Sequence, residues 1–187
     1  MTITDPGKAI GVKTQEKLLL HGRRLMWRHG YSNVSLRQIA AGAEVDVALV
    51  SRYFGGKSGL FQATLDGAFT QADMNFASPQ ELVDAVVTIF ETAPRNVEDP
   101  SVLQMMLMNA GDPDVGESVR LRHGETLQAK LEHVIGDRSS AALFMAAIMG
   151  FSVSEKILKL DGIAKVGSPE YAAQLRHMLN AALGYWD

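Results

Sequence analysis

The stretch SLRQIAAGAEVDVALVSRYFGGK, residues 35–57, contains two short helical patterns separated by a few residues. Ser35 can cap the first helix, in which apolar side chains recur every three or four positions. Asp46 can cap the second helix, which is predicted to run from Val47 to about Phe54 and to end at two glycines. Two short helices joined by a turn of about three or four residues form a helix-turn-helix. The stretch therefore predicts this motif as the organising feature of the fold.

Helix signals continue on both sides of the motif. Upstream, KTQEKLLLHGRRLMWRHG has apolar residues at helical spacing, and Gly30 is well placed to end that helix. Downstream, SPQE at residues 78–81 combines a capping serine, a proline in the first turn and a capping-box glutamate. Three more helix starts are predicted at Asp99-Pro100, Asp112-Pro113 and Ser168-Pro169. No run alternating with period two is bounded by hairpin turns, so the predicted fold class is all-α.

Charge divides the chain into two parts of opposite sign. Residues 1–60 contain nine Lys or Arg and four Asp or Glu, a net charge of +5. The net charge of the whole chain is −3, which leaves −8 for residues 61–187. A basic segment fused to an acidic one suggests a polyanion as the partner of the first.

Composition excludes several classes of protein. The 187 residues include no cysteine, so a disulfide framework, a thiolate metal site and a cysteine nucleophile are excluded. The first residues are polar, and no run of about 18 apolar residues could span a bilayer. The expectation is a cytoplasmic protein that has no membrane partner.

The second helix of the motif has one apolar side and one side of small or polar residues. Val50 and Phe54 are four positions apart and are assigned to the core. Ala48, Ser51 and Arg52 then point elsewhere, and their side chains are small or forked, as a helix lying in the DNA major groove requires. The predicted DNA-binding residues, which contact bases or phosphates, are Ser35, Arg37, Val47, Ala48, Leu49, Ser51, Arg52, Tyr53 and Lys57. A basic three-helix segment also occurs in other proteins, and Leu49 and Tyr53 could equally be packing residues.

A family resemblance supports the DNA-binding interpretation. Residues 17–61 resemble the N-terminal DNA-binding domain of the TetR family of bacterial transcriptional regulators. The resemblance rests on the small residue at position 22, on Gly30-Tyr31, on Ile39-Ala40 and on the run YFGGK that ends in Lys57. It implies a homodimer in which each subunit has a three-helix head and a larger helical body with a pocket for a small-molecule effector. It also implies ligand-responsive repression at a palindromic operator in double-stranded DNA.

The resemblance also sets the expected domain organisation. Residues 13–60 would form the helix-turn-helix domain and residues 61–187 the ligand-binding and dimerisation domain. The boundary would lie within a linking helix over residues 58–76.

Three residues depart from the pattern of the family. Glu44 occupies a turn position that is usually glycine, and a positive φ there would cost about 1 kcal/mol. Asp46 replaces the usual Ser or Thr cap of the second helix, and its charge would repel a phosphate. Ser51 stands where an aromatic residue is common, two positions before Tyr53.

The acidic body resembles the family only in its helical architecture. Its Met and Phe residues suit an adaptable apolar pocket, although such residues are more often plain core. The candidate ligand-binding residues are Phe90, Met105, Asn109, Phe144 and Ile148. Two late helices with faces of small and apolar residues are predicted to form the dimer interface, or else to pack within one subunit. The candidate interface residues are Ala146, Gly150, Ser154, Leu175, Leu179 and Ala182.

Two other classes of protein are alternatives to a DNA-binding regulator. A helical enzyme is disfavoured, because the sequence has no Glu-x-x-His pair, no His-Glu-x-x-His, no Walker loop and no Gly-x-Ser-x-Gly. No cofactor and no metal are expected. The other alternative is a helical ligand-binding or interaction protein of the same fold that has lost operator binding, which Glu44 and Ser51 favour.

Overall fold

The computed structural model describes residues 6–66, 68, 76–94 and 99–184, with side chains from residue 11 onward. All regular secondary structure in these ranges is helical, which confirms the all-α prediction. The helices are α1 (Pro6–His29), α2 (Leu36–Ala43), α3 (Ala48–Phe54), α4 (Lys57–Leu65), α5 (Pro79–Thr92), α6 (Val102–Asn109), α7 (Gly116–His123), a π-helical turn (Gly124–Gln128), α8 (Ala129–Ile135), α9 (Arg138–Lys156) and α10 (Pro169–Leu183).

No single helix among the described residues is long and apolar enough to cross a bilayer, and one sharply bent pair, Gly116–Ile135 with α9, passes by length and composition alone.

The chain forms two compact units, each made of segments that are distant in sequence. The first unit contains residues 1–71 and 97–123, and the second contains residues 72–96 and 124–187. The predicted domain boundary between residues 60 and 61 stays a prediction. The predicted linking helix is shorter than expected, since α4 ends at Leu65, and residues 67 and 69–75 lie outside the described part.

Most predicted helix signals act as expected. The hydroxyl of Ser35 accepts from the backbone N–H of Gln38, and the Gln38 side chain accepts from the backbone N–H of Ser35, which completes a capping box. The hydroxyls of Ser78 and Ser168 cap α5 and α10 by accepting from the backbone N–H of Glu81 and of Tyr171, each with proline in the first turn. The helices α1 and α3 stop at glycines with positive φ, at Gly30 and at Gly55.

Two predicted helix starts are displaced along the chain. The cap of α6 is Ser101 and not Asp99, because Asp99 lies 2.5 Å from the Arg24 side chain in an ion pair. After Asp112, the chain first makes a turn in which the carboxylate accepts from the backbone N–H groups of residues 114 and 115, and α7 begins only at Gly116.

The core of the first unit lies between α1, α2, α4 and α6. Trp27 of α1 is fully buried, and its indole N–H donates to the Thr64 hydroxyl of α4 at 2.9 Å. A Cβ on Gly22 would lie 3.0 Å from Leu60, so glycine at this position allows α1 and α4 to approach closely. The other fully buried large side chains of this unit are Leu18, Met26, Ile39, Leu60, Phe61, Leu65 and Met105.

In the second unit, α10 packs against α9 and α5. The Phe151 ring makes edge-to-face contacts with Phe90 at 5.8 Å and with Tyr171 at 5.4 Å. The Tyr171 hydroxyl donates to Glu155 at 3.0 Å, and Arg176 pairs with Asp84. Because these contacts join its three longest helices, α5, α9 and α10 form one core.

Candidate nucleic-acid interface

The turn between α2 and α3 is built around a residue in the left-handed region. Glu44 has φ 58° and ψ 44°, and its N–H donates to the Ala41 carbonyl at 3.1 Å. The Asp46 carboxylate then accepts from the backbone N–H of Ala48 at 2.7 Å, so Asp46 caps α3 as predicted. The turn therefore has a defined hydrogen-bonded shape.

The two sides of α3 differ in burial in the way that the sequence predicted. Val50 is fully buried, while Val45 and Phe54 are half-buried beside it. Ala48, Ser51 and Arg52 are exposed, as is Val47, and Leu49 and Tyr53 are half-buried. One side of α3 thus anchors the helix, and the other side faces solvent.

Ser35 and Arg37 lie at the start of α2 and are both exposed. The Ser35 hydroxyl and N–H are already engaged with Gln38, at 2.8 and 2.7 Å from its side-chain oxygen. The first N–H groups of a helix have no partner within it, so those of residues 36 and 37 point out of the start of α2. Ser35 therefore acts on this surface by ordering the helix end and not by offering a free hydroxyl.

Lys57 begins α4, and its amine lies 4.1 Å from the centroid of the Tyr31 ring. The edge-to-face contact of Tyr31 with Phe61, at 5.4 Å, holds that ring in place. Tyr53 reaches in another direction, since its hydroxyl would lie 3.6 Å from a Cβ built on Gly11 of α1. Sequence reasoning did not anticipate either contact, because each joins elements that are distant along the chain.

The loop after α1 is bound to α6 and to the loop that follows α6. The Asn109 side chain accepts from the Tyr31 N–H at 2.7 Å and donates to the Met26 carbonyl at 3.2 Å. Asp112 accepts from the Ser32 hydroxyl at 2.7 Å. Burial raises the Asp112 pKa, but its hydrogen bonds from Ser32 and the backbone outweigh burial and leave the pKa below its ordinary value. Burial, and then the charges of two nearby aspartates, raise the pKa of Tyr31.

Comparison with known proteins assigns the segment that contains this surface. The family model described as bacterial regulatory proteins of the tetR family matches residues 18–64. The chain is also 29% identical over 96 residues to the probable HTH-type transcriptional regulator YttP of Bacillus subtilis strain 168. Residues 18–64 are therefore similar to the N-terminal segment of TetR-family regulators. The match with YttP covers 51% of this chain and 40% of the relative, so this chain spans less than half of the relative's length.

The predicted ligand-binding residues of the chain are divided between its two units. Met105 and Asn109 belong to the first unit, and Phe90, Phe144 and Ile148 belong to the second. All five are buried. The Asn109 amide already makes three hydrogen bonds, to Tyr31, Met26 and Met105, so we do not retain it as a ligand-binding residue. The described residues contain no cluster of three His, Asp or Glu side chains that could hold a metal ion.

The predicted dimer-interface residues of α9 and α10 have different environments. On α9, Ala146 and Gly150 are exposed and Ser154 is half-buried. On α10, Leu175 and Leu179 are fully buried and Ala182 is 8% exposed. Because Leu175 and Leu179 are fully covered within one subunit and Ala182 nearly so, their burial favours the alternative of packing within the subunit. The interface on α10 stays a prediction.

Proposed function

We propose that this chain is a cytoplasmic, sequence-specific DNA-binding regulator of transcription that acts as a ligand-responsive repressor. The observation that carries the proposal is the two-sided burial of α3. Val50 anchors one side, and Ala48, Ser51 and Arg52 face solvent on the other. A reading helix needs such an arrangement, since it must be fixed to its domain while its outer side enters the major groove.

The exposed side of α3 fits the floor of a major groove about 12 Å wide. Ala48 and Ser51 are small enough to let the helix backbone sit deep, and the forked Arg52 side chain can donate to guanine O6 and N7. Val47 and Leu49 offer apolar contacts to thymine methyl groups. Base recognition is therefore assigned to α3, with Arg52 as its strongest single contact.

Phosphate contacts come from the residues around the reading helix. Arg37 and the outward N–H groups at the start of α2 can bind one phosphate. The Tyr53 hydroxyl and the Lys57 amine are the other candidates, at the end of α3 and the start of α4. Breaking the contact of Lys57 with the Tyr31 ring costs about 1 kcal/mol at a partly exposed site. A charge-assisted hydrogen bond from the Lys57 amine to a phosphate stabilises the complex by more than this.

Removing the Arg52 side chain tests base recognition. We expect Arg52→Ala to weaken binding to the preferred sequence by about 10- to 100-fold and to relax sequence preference, because a bidentate contact with guanine is worth about 1–3 kcal/mol. The measurement is fluorescence anisotropy with duplexes from the upstream region of the chain's own gene, at two salt concentrations. Arg138→Ala is the matched control, since the Arg138 side chain is 88% exposed on α9 of the other unit. Equal affinity and preference for wild type and Arg52→Ala would refute the assignment of α3.

Dimerisation is assigned to the exposed face of α9. The small residues Ala146 and Gly150 leave room for another helix to approach, and a Cβ on Gly150 would meet no atom within 4 Å. Leu143 of α9 and Met178 of α10 are also exposed, by 39% and 38%. Packing these residues against a second copy removes apolar surface from water. Two heads held by such a dimer would read two halves of a palindromic operator, about one DNA turn apart.

A glutamate in this face should separate the subunits. We expect Ala146→Glu to convert the dimer into a monomer at micromolar concentration without unfolding it, since the side chain points to solvent within one subunit. Sedimentation velocity measures the change, with circular dichroism as a check of folding. The control Ala129→Glu places the same charge at an exposed alanine of α8. A wild-type chain that sediments as a monomer would remove the proposed interface altogether.

The effector site is assigned to the second unit. Phe90, Phe144 and Ile148 are buried there, and their apolar side chains suit a largely apolar small molecule. Binding of an effector can release DNA only if its affinity differs between the DNA-bound and the free state.

A helical ligand-binding or interaction protein that has lost operator binding is the second candidate. The charge of Glu44 and the small side chain of Ser51 favour it, because both reduce contacts that a DNA-binding head would otherwise make. The anisotropy titrations used for Arg52→Ala also distinguish these two candidate functions. A chain without DNA function would bind no upstream duplex more tightly than a duplex of random sequence.

A further inference from the structure

Glu44 occupies a backbone conformation that its side chain disfavours. It is one of two non-glycine residues with positive φ among those that the structure describes, the other being Lys159. Glycine would adopt φ 58° and ψ 44° without steric cost. The backbone of this turn therefore gives no reason for a side chain at this position.

The Glu44 carboxylate makes no contact that would stabilise the fold. The side chain is exposed, and within the described ranges no hydrogen bond or ion pair engages its carboxylate. Asp46, two residues later, differs because its carboxylate accepts from the Ala48 N–H and caps α3. The negative charge of Glu44 is therefore exposed at the turn and fully available to act on a neighbour.

That charge stands where DNA would approach the head. Glu44 lies in the turn between α2 and α3, four residues before the first residue of α3. The N-terminal residues of a reading helix contact base edges, so the turn before it comes within a Debye length of about 8–10 Å of the phosphates. At that range a carboxylate repels the DNA backbone, whatever the base sequence.

We propose that Glu44 lowers the affinity of the head for DNA of any sequence by electrostatic repulsion of the phosphates. This inference rests on the proposed DNA-binding function. The first 60 residues carry +5, and attraction to phosphates is the same for every sequence. A fixed repulsion weakens wrong and right sites by the same factor, so it leaves the ratio of their affinities unchanged but releases protein from random DNA, where binding is already weak. The left-handed turn holds the carboxylate at the DNA-facing end of the head.

Glu44→Gln tests the proposal, because it removes the charge and keeps the length and the backbone strain. Binding is measured by anisotropy with a labelled duplex of random sequence, at about 50 mM and about 200 mM salt. We expect about three- to tenfold tighter binding at the lower salt, with a smaller gain at the higher salt and a steeper salt dependence. Glu91→Gln is the matched control, an exposed glutamate on α5 whose removal should leave binding unchanged.

Two further variants separate the charge from the backbone. Glu44→Asp keeps the charge and should bind random DNA like wild type. Glu44→Gly removes both the charge and the strain, so it should match the affinity gain of Glu44→Gln and also unfold at a higher denaturant concentration.

Three outcomes would overturn the inference. Unchanged or weaker binding of random DNA by Glu44→Gln shows that the carboxylate does not repel phosphates. Loss of binding to the preferred sequence alone shows that Glu44 contacts a base instead. If neither wild type nor Glu44→Gln binds any duplex at low salt, the proposed DNA-binding function fails together with the inference. The first two outcomes contradict the inference alone and leave the proposed function standing.

Discussion

Gly59→Ala should destabilise the first unit by about 3 kcal/mol or more, at the upper end of what overpacking costs. Gly59 lies in the first turn of α4, where an ideal Cβ would be 1.7 Å from the Phe54 carbonyl oxygen and 3.0 Å from its carbon. Real Cβ atoms do not approach other heavy atoms so closely. The atoms that it would meet are backbone, so no rotation of a side chain can relieve the contact.

The clash acts directly on the proposed reading helix. Phe54 is the last residue of α3, and only Gly55 and Gly56 separate it from α4. To accept a methyl group at position 59, the end of α3 must move away from α4. We therefore expect Gly59→Ala to lose sequence-specific DNA binding even where circular dichroism shows that helix content is retained.

Denaturant unfolding and DNA titration measure the two effects on the same protein. Gly124→Ala is the control, since its Cβ meets no atom within 4 Å and its φ is not positive. That variant should be neutral or stabilised by up to about 1 kcal/mol, because alanine favours helix over glycine. A wild-type unfolding midpoint for Gly59→Ala would show that α3 and α4 do not pack as closely as described.

Local signals predicted the helix ends and the motif, and they did so for physical reasons. Ser35, Ser78 and Ser168 cap helices, and Gly30 and Gly55 end them, because these interactions join residues at most four positions apart. The all-α class follows from the same short-range periodicity. Predicting these features required no knowledge of which helices pack against each other.

Contacts between distant elements could not be derived in this way. Sequence periodicity shows that α10 has an apolar face with Leu175 and Leu179, but not whether α9 and α5 cover it or a second subunit does. The close approach of Gly59 to Phe54 is also invisible although only five positions separate them, since a glycine in a helical pattern looks only like a weak helix former. For the same reason Asn109 was predicted to bind a ligand. Its partners Tyr31 and Met26 are 78 and 83 positions away.

Asn109→Leu should destabilise the first unit by up to about 3 kcal/mol, because it leaves the buried Tyr31 N–H without its partner and removes one of the two donors to the Met26 carbonyl, which also accepts from the Gly30 N–H. Asn109 is fully buried and joins the end of α1 to α6. Its oxygen accepts from the Tyr31 N–H, and its nitrogen donates to the Met26 and Met105 carbonyls. Leucine has a similar size but neither group, so the loss is one of hydrogen bonds more than of packing.

Asn109→Asp separates the hydrogen bonds from the packing by its dependence on pH. The carboxylate can still accept from Tyr31, but it faces two carbonyl oxygens and is buried, so the pKa of residue 109 should rise above its unfolded value of about 3.9. The folded state then binds more protons than the unfolded state, and stability falls as pH rises from the unfolded pKa to the folded pKa of residue 109.

Relative to wild type, we expect the loss of stability of Asn109→Asp to be smallest near pH 4 and largest near pH 7. Asn109→Leu should show a deficit that does not change with pH. The control Asn180→Asp, at an exposed position of α10, should show no deficit at either pH. A pH-independent deficit for Asn109→Asp would mean that the buried amide fills space between α1 and α6 without bonding to their carbonyls.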